Sequence, residues 1–204
     1  MTTKSKGTLF VVSGPAGAGK GTICKEFMAK NKSAFLSVSA TTRQPRPGEE
    51  HGKSYFFVSK DEFEDMIKND GLLEYATFCD NYYGTPKKAV EERLEAGDDI
   101  ILEIEVQGAM QIKKKLPHAV LVFIIPPTFE ILRQRLIDRK TETPDVVEKR
   151  LTRAKEELLL VDNYDYIIIN DTVEKAVEDF CAIAGAEKQK TNNILHTIRE
   201  AYNL

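Results

Sequence analysis

A glycine-rich loop follows the first apolar segment of the chain. Residues 9–22 read LFVVSGPAGAGKGT, a strand-like run followed by a loop and then by helix-compatible spacing. Gly14, Gly17 and Gly19 have no Cβ, so the backbone can wrap closely around an anion, and the N–H groups that open the next helix point inward. Lys20 would add a point charge at the outer phosphates. The pattern therefore predicts a site for the phosphates of a nucleotide.

The loop departs from the strict pattern GxxxxGK[ST] at its end, because Gly21 stands at the serine or threonine position and Thr22 follows it. The GKGT version indicates small-molecule kinases. Thr22, or a water-mediated contact, would help to hold Mg²⁺. A glycine turn without a ligand is the alternative, which the flanking pattern disfavours. The predicted ATP-binding residues of the loop are Gly14, Pro15, Ala16, Gly17, Ala18, Gly19, Lys20, Gly21 and Thr22.

The composition of the whole chain is that of an ordinary soluble protein. It has 204 residues, of which 42% are hydrophobic and 30% are charged, and a formal net charge of −3. This length permits one large or two small domains, and the charge gives no reason to expect nucleic acid as a partner. The short polar start MTTKSKG and the lack of a long apolar stretch predict neither a signal peptide nor a membrane span, which makes the cytoplasm the default.

The cysteines give no sign of a disulfide framework or a zinc site. Cys24, Cys79 and Cys181 are odd in number, widely spaced and outside any CxxC pattern. We expect them to be small buried hydrophobic residues.

Strand-like and helical patterns alternate along most of the chain. Strands are predicted at about 9–13, 34–38, 54–58, 72–78, 99–105, 119–125 and 165–169. Ser59 with Glu62 predicts a capped helix, Thr85 with Pro86 predicts the start of another that closes at Gly97, and similar starts follow at Thr128 and Thr143. The nearly continuous apolar runs ILEIEV and AVLVFII are typical of strands covered on both faces. The expected fold class is α/β, with a parallel sheet core flanked by helices and ligands at the carboxyl ends of the strands.

Two segments differ from this alternation. Shorter and more polar strands with tyrosine, proline and glycine predict a small mixed α/β insertion with its own sheet, and an arginine-rich helical segment predicts a second insertion. The predicted division is a core at 1–36, a nucleotide-binding insertion at 37–90, core again at 91–125, a helical lid at 126–155, and core with a C-terminal helix at 156–204.

The first insertion carries residues suited to a second phosphate. Arg43 and Arg46 lie three apart beside hydroxyl residues and shortly before Tyr55. Guanidinium groups can hold a phosphate with two hydrogen bonds, and a phenol can add another. Two arginines in a surface loop often serve only solubility. Beside a phosphoryl-donor loop, however, an acceptor that is itself a phosphate would need cations.

Motifs spread from about residue 8 to 185 resemble those of guanylate kinases, which phosphorylate GMP from ATP. They are GPAGAGKGT, SVSATTRQPRPGE, GKSYFFVS, LLEYATFCDNYYGTP, ILEIEVQGA, RLIDRKTETPDVVEKRL and YDYIIIND. The resemblance implies a P-loop kinase fold and Mg²⁺ as cofactor. Its substrates would be ATP and GMP, with dGMP as a further acceptor.

The resemblance also implies an acceptor site. Glu74, Ser39 and Thr85 match positions that recognise guanine, whose edge presents N1–H and N2–H₂ donors and the O6 acceptor. A site built on such hydrogen bonds rejects adenine, because the wrong base leaves buried groups unpaired. The residues that the family places on the GMP phosphate are Arg43, Arg46, Tyr55 and Tyr83, the last favoured over Tyr82 by its place before Gly84.

Two carboxylates follow the central apolar run. Glu103 and Glu105 would share one face if that segment is a strand, near its carboxyl end, where ligands bind. The family match assigns Glu103 to the acceptor side and Glu105 to the neighbourhood of Mg²⁺. Because many relatives have the shorter aspartate at the second position, direct and water-mediated metal contacts both stay open.

The arginine-rich segment matches the lid of the family. Arg139 and Arg150 match the arginines that close over the transferring phosphoryl group, and Arg135 is a further candidate. Arg133 and Arg153 are interpreted as solvated helix charges. Asn170, with Asp171, falls where the family contacts the base of ATP.

Three other functions remain as alternatives at this point. A kinase for another monophosphate or for a phosphosugar is disfavoured by Glu74 and the hydroxyls. A non-catalytic protein-binding module is disfavoured by Lys20, Arg139 and Arg150. A P-loop switch or nucleic-acid motor would need a switch region or a basic groove. We expect small-molecule partners without nucleic acid or membrane, in a monomer or homodimer.

Overall fold

The computed structural model describes residues 6–78, 80–138 and 143–203, in which strands and helices alternate through most of the chain. In chain order the elements are β1 (Leu9–Ser13), α1 (Lys20–Lys30), β2 (Ala34–Leu36), β3 (Ala40–Thr41), β4 (Phe56–Phe57), α2 (Lys60–Lys68), β5 (Leu72–Phe78), β6 (Asn81–Pro86), α3 (Lys87–Glu95), β7 (Asp99–Glu103), α4 (Val106–Lys115), β8 (Val120–Ile125), α5 (Phe129–Asp138), α6 (Pro144–Leu158), β9 (Tyr166–Ile169), α7 (Val173–Lys188) and α8 (Thr191–Tyr202). A short 3₁₀ helix at Val161–Asn163 precedes β9.

Strand β1 is the centre of a five-stranded parallel sheet with the order β2-β7-β1-β8-β9. Every residue of β1 is buried, and alternate side chains enter two different cores. Phe10 packs edge-on against Phe180 of α7, and Phe180 stacks on Phe27 of α1 with 4.1 Å between ring centroids. Val11 packs on the opposite face with Ile112 of α4. These observations confirm the predicted parallel core, covered by helices on both faces.

A second sheet is formed by the more polar segment that follows β2. It has four strands in the order β4-β3-β6-β5, with Ala40, Phe63 and Leu72 buried together beneath it. Helix α2 begins with the predicted capping box, since the Ser59 hydroxyl accepts from the Glu62 backbone and the Glu62 carboxylate accepts from the Ser59 backbone. The predicted small sheet is therefore confirmed.

Helices α5 and α6 form a separate packing unit over the glycine-rich loop. Leu132, Leu136, Val147 and Leu151 are buried between the two helices, and Ala16 of the loop packs against them. The lid segment thus rests directly on the predicted phosphate site.

Several predicted boundaries are wrong. The strand predicted at 99–105 ends at Glu103, because Glu105 is already the N-cap of α4. Thr85 and Pro86 end strand β6, which pairs with β5, and Pro86 is also the N-cap of α3, so the predicted helix begins at Lys87. The strands predicted at 34–38 and 54–58 are shorter, and strands β3 and β6 were not predicted at all.

Among the described residues, no helix is long and apolar enough to cross a membrane. Cys24 is buried as predicted, whereas Cys181 is partly exposed and Cys79 lies outside the described residues.

Candidate functional site

The glycine-rich loop joins β1 to α1 in a conformation that requires glycine. Gly14, Gly17 and Gly19 have φ values of 141°, 90° and 90°. A Cβ on Gly14 would lie 2.0 Å from the Ile124 carbonyl oxygen, and one on Gly19 would lie 2.4 Å from Nδ2 of Asn170. The loop is therefore held closely against strand β8 and the end of β9, and its shape depends on the missing side chains.

Lys20 is the first residue of α1 and turns back across the loop. Its Nζ donates to the carbonyl oxygens of Gly14 at 2.5 Å and Pro15 at 3.2 Å. Burial lowers the pKa of Lys20, whereas the carboxylates of Glu105, Glu103 and Glu157 act in the opposite direction. These carboxylates favour the charged form of the lysine at the mouth of the loop.

A cavity of about 290 Å³ opens over the loop. Its lining residues are Ala16, Gly17, Gly19, Lys20, Gly21, Thr22 and Glu103. Thr22 is exposed, and Glu103 stands at the end of β7, next to β1 in the sheet. The cavity thus lies at the carboxyl ends of parallel strands and at a helix N-terminus, where anions bind.

A second cavity of about 310 Å³ adjoins the first. It is lined by Leu36, Ser37, Ser39, Ser54, Tyr55, Thr85, Leu102, Glu103 and Ile104. Because Glu103 lines both cavities, the two sites share a wall. The structure therefore brings the predicted acceptor residues Ser39, Tyr55 and Thr85 next to the loop that carries Lys20.

Glu74 is buried and reaches this second cavity through Thr85. Only 5% of Glu74 is exposed, and its Oε1 accepts a 2.6 Å hydrogen bond from the Thr85 hydroxyl. Burial raises the pKa of Glu74, and the bond from Thr85 opposes the rise. A Cβ on Gly108 would lie 2.7 Å from the other carboxylate oxygen. The space for this carboxylate therefore depends on a glycine at the start of α4.

The two arginines of the insertion are organised by Glu49. Nη2 of Arg43 donates to both carboxylate oxygens of Glu49, at 2.9 and 3.0 Å, and the Arg46 backbone N–H donates to Oε2 at 2.8 Å. Arg43 also lies over the ring of Tyr55, with Cζ 5.5 Å from the centroid, and the rings of Tyr55 and Tyr83 are 6.1 Å apart. Arg43, Tyr55 and Tyr83 thus form one cluster, whereas the Arg46 side chain is exposed.

Glu103 and Glu105 do not share a strand face as predicted. Glu103 is the last residue of β7. Partial desolvation raises the pKa of its carboxyl group, and Lys20 acts in the opposite direction. Glu105 precedes α4 and pairs with Arg153 of α6 at 2.8 Å. Glu103 lines the loop cavity, and both carboxylates favour the charged form of Lys20.

The lid arginines have different surroundings. Arg139 lies outside the described residues, and Arg150 is partly buried on α6. Arg135 donates to the Asn170 carbonyl oxygen at 2.9 Å, and Arg133 forms an exposed ion pair with Glu148. Arg153 is exposed on α6, as expected of a solvated helix charge, and it also contacts Glu105 and Glu157.

Asn170 lies beneath the loop instead of on an open surface. It is 3% exposed, and its Nδ2 donates to the Ala18 carbonyl oxygen at 2.7 Å. Its Oδ1 is buried and has no hydrogen-bond partner among the residues that the structure describes.

Sequence reasoning assigned no role to three residues that shape the site. Glu49 stands in the quoted motif PRPGE and Gly108 in EVQGA, so their positions within these motifs were the available signal. Arg153 had none, because its partner Glu105 lies 48 residues away in the chain.

Comparisons with known proteins agree with this arrangement. A family model described as guanylate kinase matches residues 6–186. The guanylate kinase of Caldanaerobacter subterraneus subsp. tengcongensis is 53% identical over 92% of this chain and 91% of its own length. That of Clostridioides difficile is 50% identical over 97% of this chain and 96% of its own. The crystal structure of guanylate kinase from Anaplasma phagocytophilum is similar with a TM-score of 0.75 and 32% identity, covering 97% of this chain and 95% of that one.

Proposed function

This chain belongs to the guanylate kinase family, and we propose that it transfers the terminal phosphoryl group of ATP to GMP, giving ADP and GDP. The observation that carries the proposal is the shared wall at Glu103 between the loop cavity and the second cavity. A donor phosphate on the loop would meet an acceptor phosphate in the neighbouring cavity. Phosphoryl transfer needs this kind of positioning more than it needs covalent chemistry.

The second cavity supplies groups suited to guanine. The Glu74 carboxylate can accept from the N1–H and N2–H₂ donors of the base, and the hydroxyls of Ser39 and Thr85 add polar partners. Adenine presents a different pattern, which would leave the buried carboxylate unpaired. None of these roles involves the ribose 2′-hydroxyl, so dGMP is expected to be a second acceptor.

The phosphate of GMP would lie against the insertion. Arg43, Arg46, Tyr55 and Tyr83 are the assigned contacts, and the clustering of Arg43 with the two tyrosines supports this assignment. Glu103 would border the acceptor on the side of the sheet.

The loop holds the phosphates of ATP in this proposal. Backbone N–H groups from Gly14 to Thr22 would surround them, with Lys20 as the cation. Asn170 is the candidate contact for the base of ATP, as the family resemblance implies, and its Nδ2 donates to the loop at the Ala18 carbonyl oxygen. Arg150 and Arg139 would contact the transferring group from the lid, where cations stabilise the charge on the equatorial oxygens.

Mg²⁺ fits the residues at the loop cavity. Among the described residues, no group of three or more histidine, cysteine, aspartate and glutamate side chains could hold a metal ion. A magnesium site built on one hydroxyl, one carboxylate and the phosphates of the substrate agrees with that finding. Thr22 and Glu105 would hold the ion, Glu105 directly or through water. When bound, Mg²⁺ neutralises charge on the phosphate oxygens.

This reaction needs neither a covalent intermediate nor a general base, since the acceptor oxygen is already ionised. The lid at 126–155 would exclude water and so limit hydrolysis of ATP. In the proposed domain organisation, the core comprises 1–36, 91–125 and 156–204, and the acceptor insertion comprises 37–90. We expect a cytoplasmic enzyme, as a monomer or homodimer, with nucleotides as its only substrates.

A substrate panel tests the acceptor assignment. Wild-type protein with ATP and Mg²⁺ is given GMP, dGMP, AMP, CMP or UMP, and ADP release is measured for each. Glu74→Gln keeps the shape of the side chain but loses its charge, so kcat/KM for GMP should fall about 10- to 100-fold, since a hydrogen bond to a charged group contributes about 1.5–3 kcal/mol. The rate with AMP should not fall.

The matched control is Glu50→Gln, an exposed carboxylate in the same insertion. It should keep the wild-type preference for GMP over AMP. An unchanged preference in Glu74→Gln would remove Glu74 from the guanine site.

A further inference from the structure

Arg153 on α6 bridges two carboxylates from different parts of the chain. Its Nη2 donates to Oε2 of Glu105 at 2.8 Å, and its Nε donates to Oε1 of Glu157 at 3.1 Å. The Arg153 side chain is 50% exposed, that of Glu105 is 65% exposed, and that of Glu157 is 10% exposed. One end of this bridge, at Glu157, is therefore nearly buried, and the other, at Glu105, is exposed to solvent.

The buried end fixes the guanidinium in place. Glu157 lies one turn after Arg153 on the same helix, and its Oε2 is buried without a hydrogen-bond partner among the described residues. Arg153 is therefore the cation that pairs with Glu157 on α6. Without Arg153, the nearly buried charge of Glu157 would be poorly compensated.

At the exposed end of the bridge, Arg153 and Mg²⁺ would compete for the Glu105 carboxylate. Glu105 is the carboxylate assigned to Mg²⁺, and Arg153 occupies one of its two oxygens. A guanidinium and a divalent cation favour the same negative charge, and their positive charges repel each other at close range. A divalent cation at Glu105 therefore weakens the pair with Arg153.

We infer that Arg153 is a positioning residue that exchanges with Mg²⁺ at Glu105, so that binding of the metal–nucleotide complex releases α6 from the start of α4. This inference depends on the proposed role of Glu105 at the metal. The exchange needs no chemical step, since one ion pair replaces another. Arg153 keeps its hydrogen bond to Glu157 on the same helix, and its Nη2 is then released from Glu105.

The test compares nucleotide binding with and without the metal. Isothermal titration calorimetry gives the Kd of the non-hydrolysable ATP analogue AMP-PNP in excess Mg²⁺ and in EDTA, and the ratio of the two values measures the gain from the metal. In Arg153→Gln the metal meets no competitor, so this gain should rise about two- to fivefold, the range of an ion pair between partly exposed side chains. Taking a ratio removes any loss of affinity common to both conditions.

Two further variants distinguish failure of the exchange from failure of the metal assignment. Arg133→Gln breaks an exposed ion pair in the same lid, with Glu148, and should leave the gain from the metal at the wild-type value. Glu105→Gln should reduce the gain. An unchanged or smaller gain in Arg153→Gln, with Glu105→Gln reducing it, would overturn the exchange while leaving the metal site in place. No effect of Glu105→Gln would overturn the metal assignment and the inference with it.

Discussion

The loop cavity and the acceptor cavity share Glu103 but are built in different ways. The loop is shaped by its backbone, with glycines at φ values that other residues rarely adopt and carbonyl contacts that hold Lys20. The acceptor cavity is shaped by side chains, namely the buried pair of Glu74 with Thr85 and the pair of Arg43 with Glu49. The loop site therefore depends on glycines, which lack side chains, and the acceptor site depends on paired side chains.

This difference predicts how each site fails when it is changed. A backbone site tolerates little added volume, because neighbouring backbone atoms cannot move aside. A site made of side-chain pairs is sensitive to loss of charge, because the partner is left behind without compensation. Substitutions in the loop should thus affect rate or folding strongly, whereas substitutions in the acceptor site should change specificity and pH dependence.

Lys20→Ala should have the largest effect, because it removes the cation of the loop without changing the loop backbone. We expect turnover to fall at least about a hundredfold, as when one charge-stabilising donor is lost from an active site. The affinity for GMP should change little, since the acceptor cavity is intact. Steady-state kinetics and GMP titration measure the two quantities, with Lys25→Ala, exposed on the same helix, as the control. Wild-type turnover in Lys20→Ala would contradict the role of the loop.

Gly19→Ala tests the backbone half of the comparison. The new Cβ would lie 2.4 Å from Nδ2 of Asn170, a side chain that is buried and bonded to Ala18, and φ at this position is 90°. Strain of this kind costs about 1–3 kcal/mol, so the midpoint of urea unfolding should fall together with activity.

Gly185→Ala is the matched control for that substitution. Gly185 lies exposed within α7, and nothing is within 4 Å of an added Cβ. Because alanine favours helix over glycine by about 1 kcal/mol, this variant should be at least as stable as the wild type. Equal stability of the two variants would mean that the loop can relax around a side chain.

The sequence predicted the backbone site more completely than the side-chain site, for a local reason. The loop and its flanking strand and helix are contiguous, so their pattern reveals both the structure and its ligand. Glu74 had no such pattern, because its burial depends on β6 and on Gly108, which are separate in the chain. Its assignment came from a family resemblance. The strand that carries Thr85 was not predicted, because a Thr–Pro pair is typical of helix starts.

The contributions of Glu74 and Glu49 to folding stability should depend on pH in opposite ways. These are the smallest effects that we predict. Burial raises the pKa of Glu74 from its ordinary 4.5, so the native state retains this proton longer than the unfolded state and loses stability as pH rises from about 4.5 through the raised pKa. Glutamine cannot ionise, and the stability of Glu74→Gln relative to the wild type should therefore increase with pH over this window. We expect a relative gain on the order of a few tenths of a molar in the urea midpoint.

Glu49 provides the contrast that makes this measurement specific. The hydrogen bond from Arg43 lowers the pKa of Glu49 below 4.5, so its contribution to stability is present above that value and is lost as pH falls through the lowered pKa. Between about pH 5.5 and 7.5 the difference between Glu49→Gln and wild type should consequently be flat, while that of Glu74→Gln increases. Urea unfolding of the three proteins at pH 4.5, 5.5, 6.5 and 7.5 measures both trends. Parallel pH trends for the two variants would show that the carboxylate beside Thr85 is not desolvated. The distinction between the buried pair of Glu74 with Thr85 and the half-buried pair of Arg43 with Glu49 would then no longer hold.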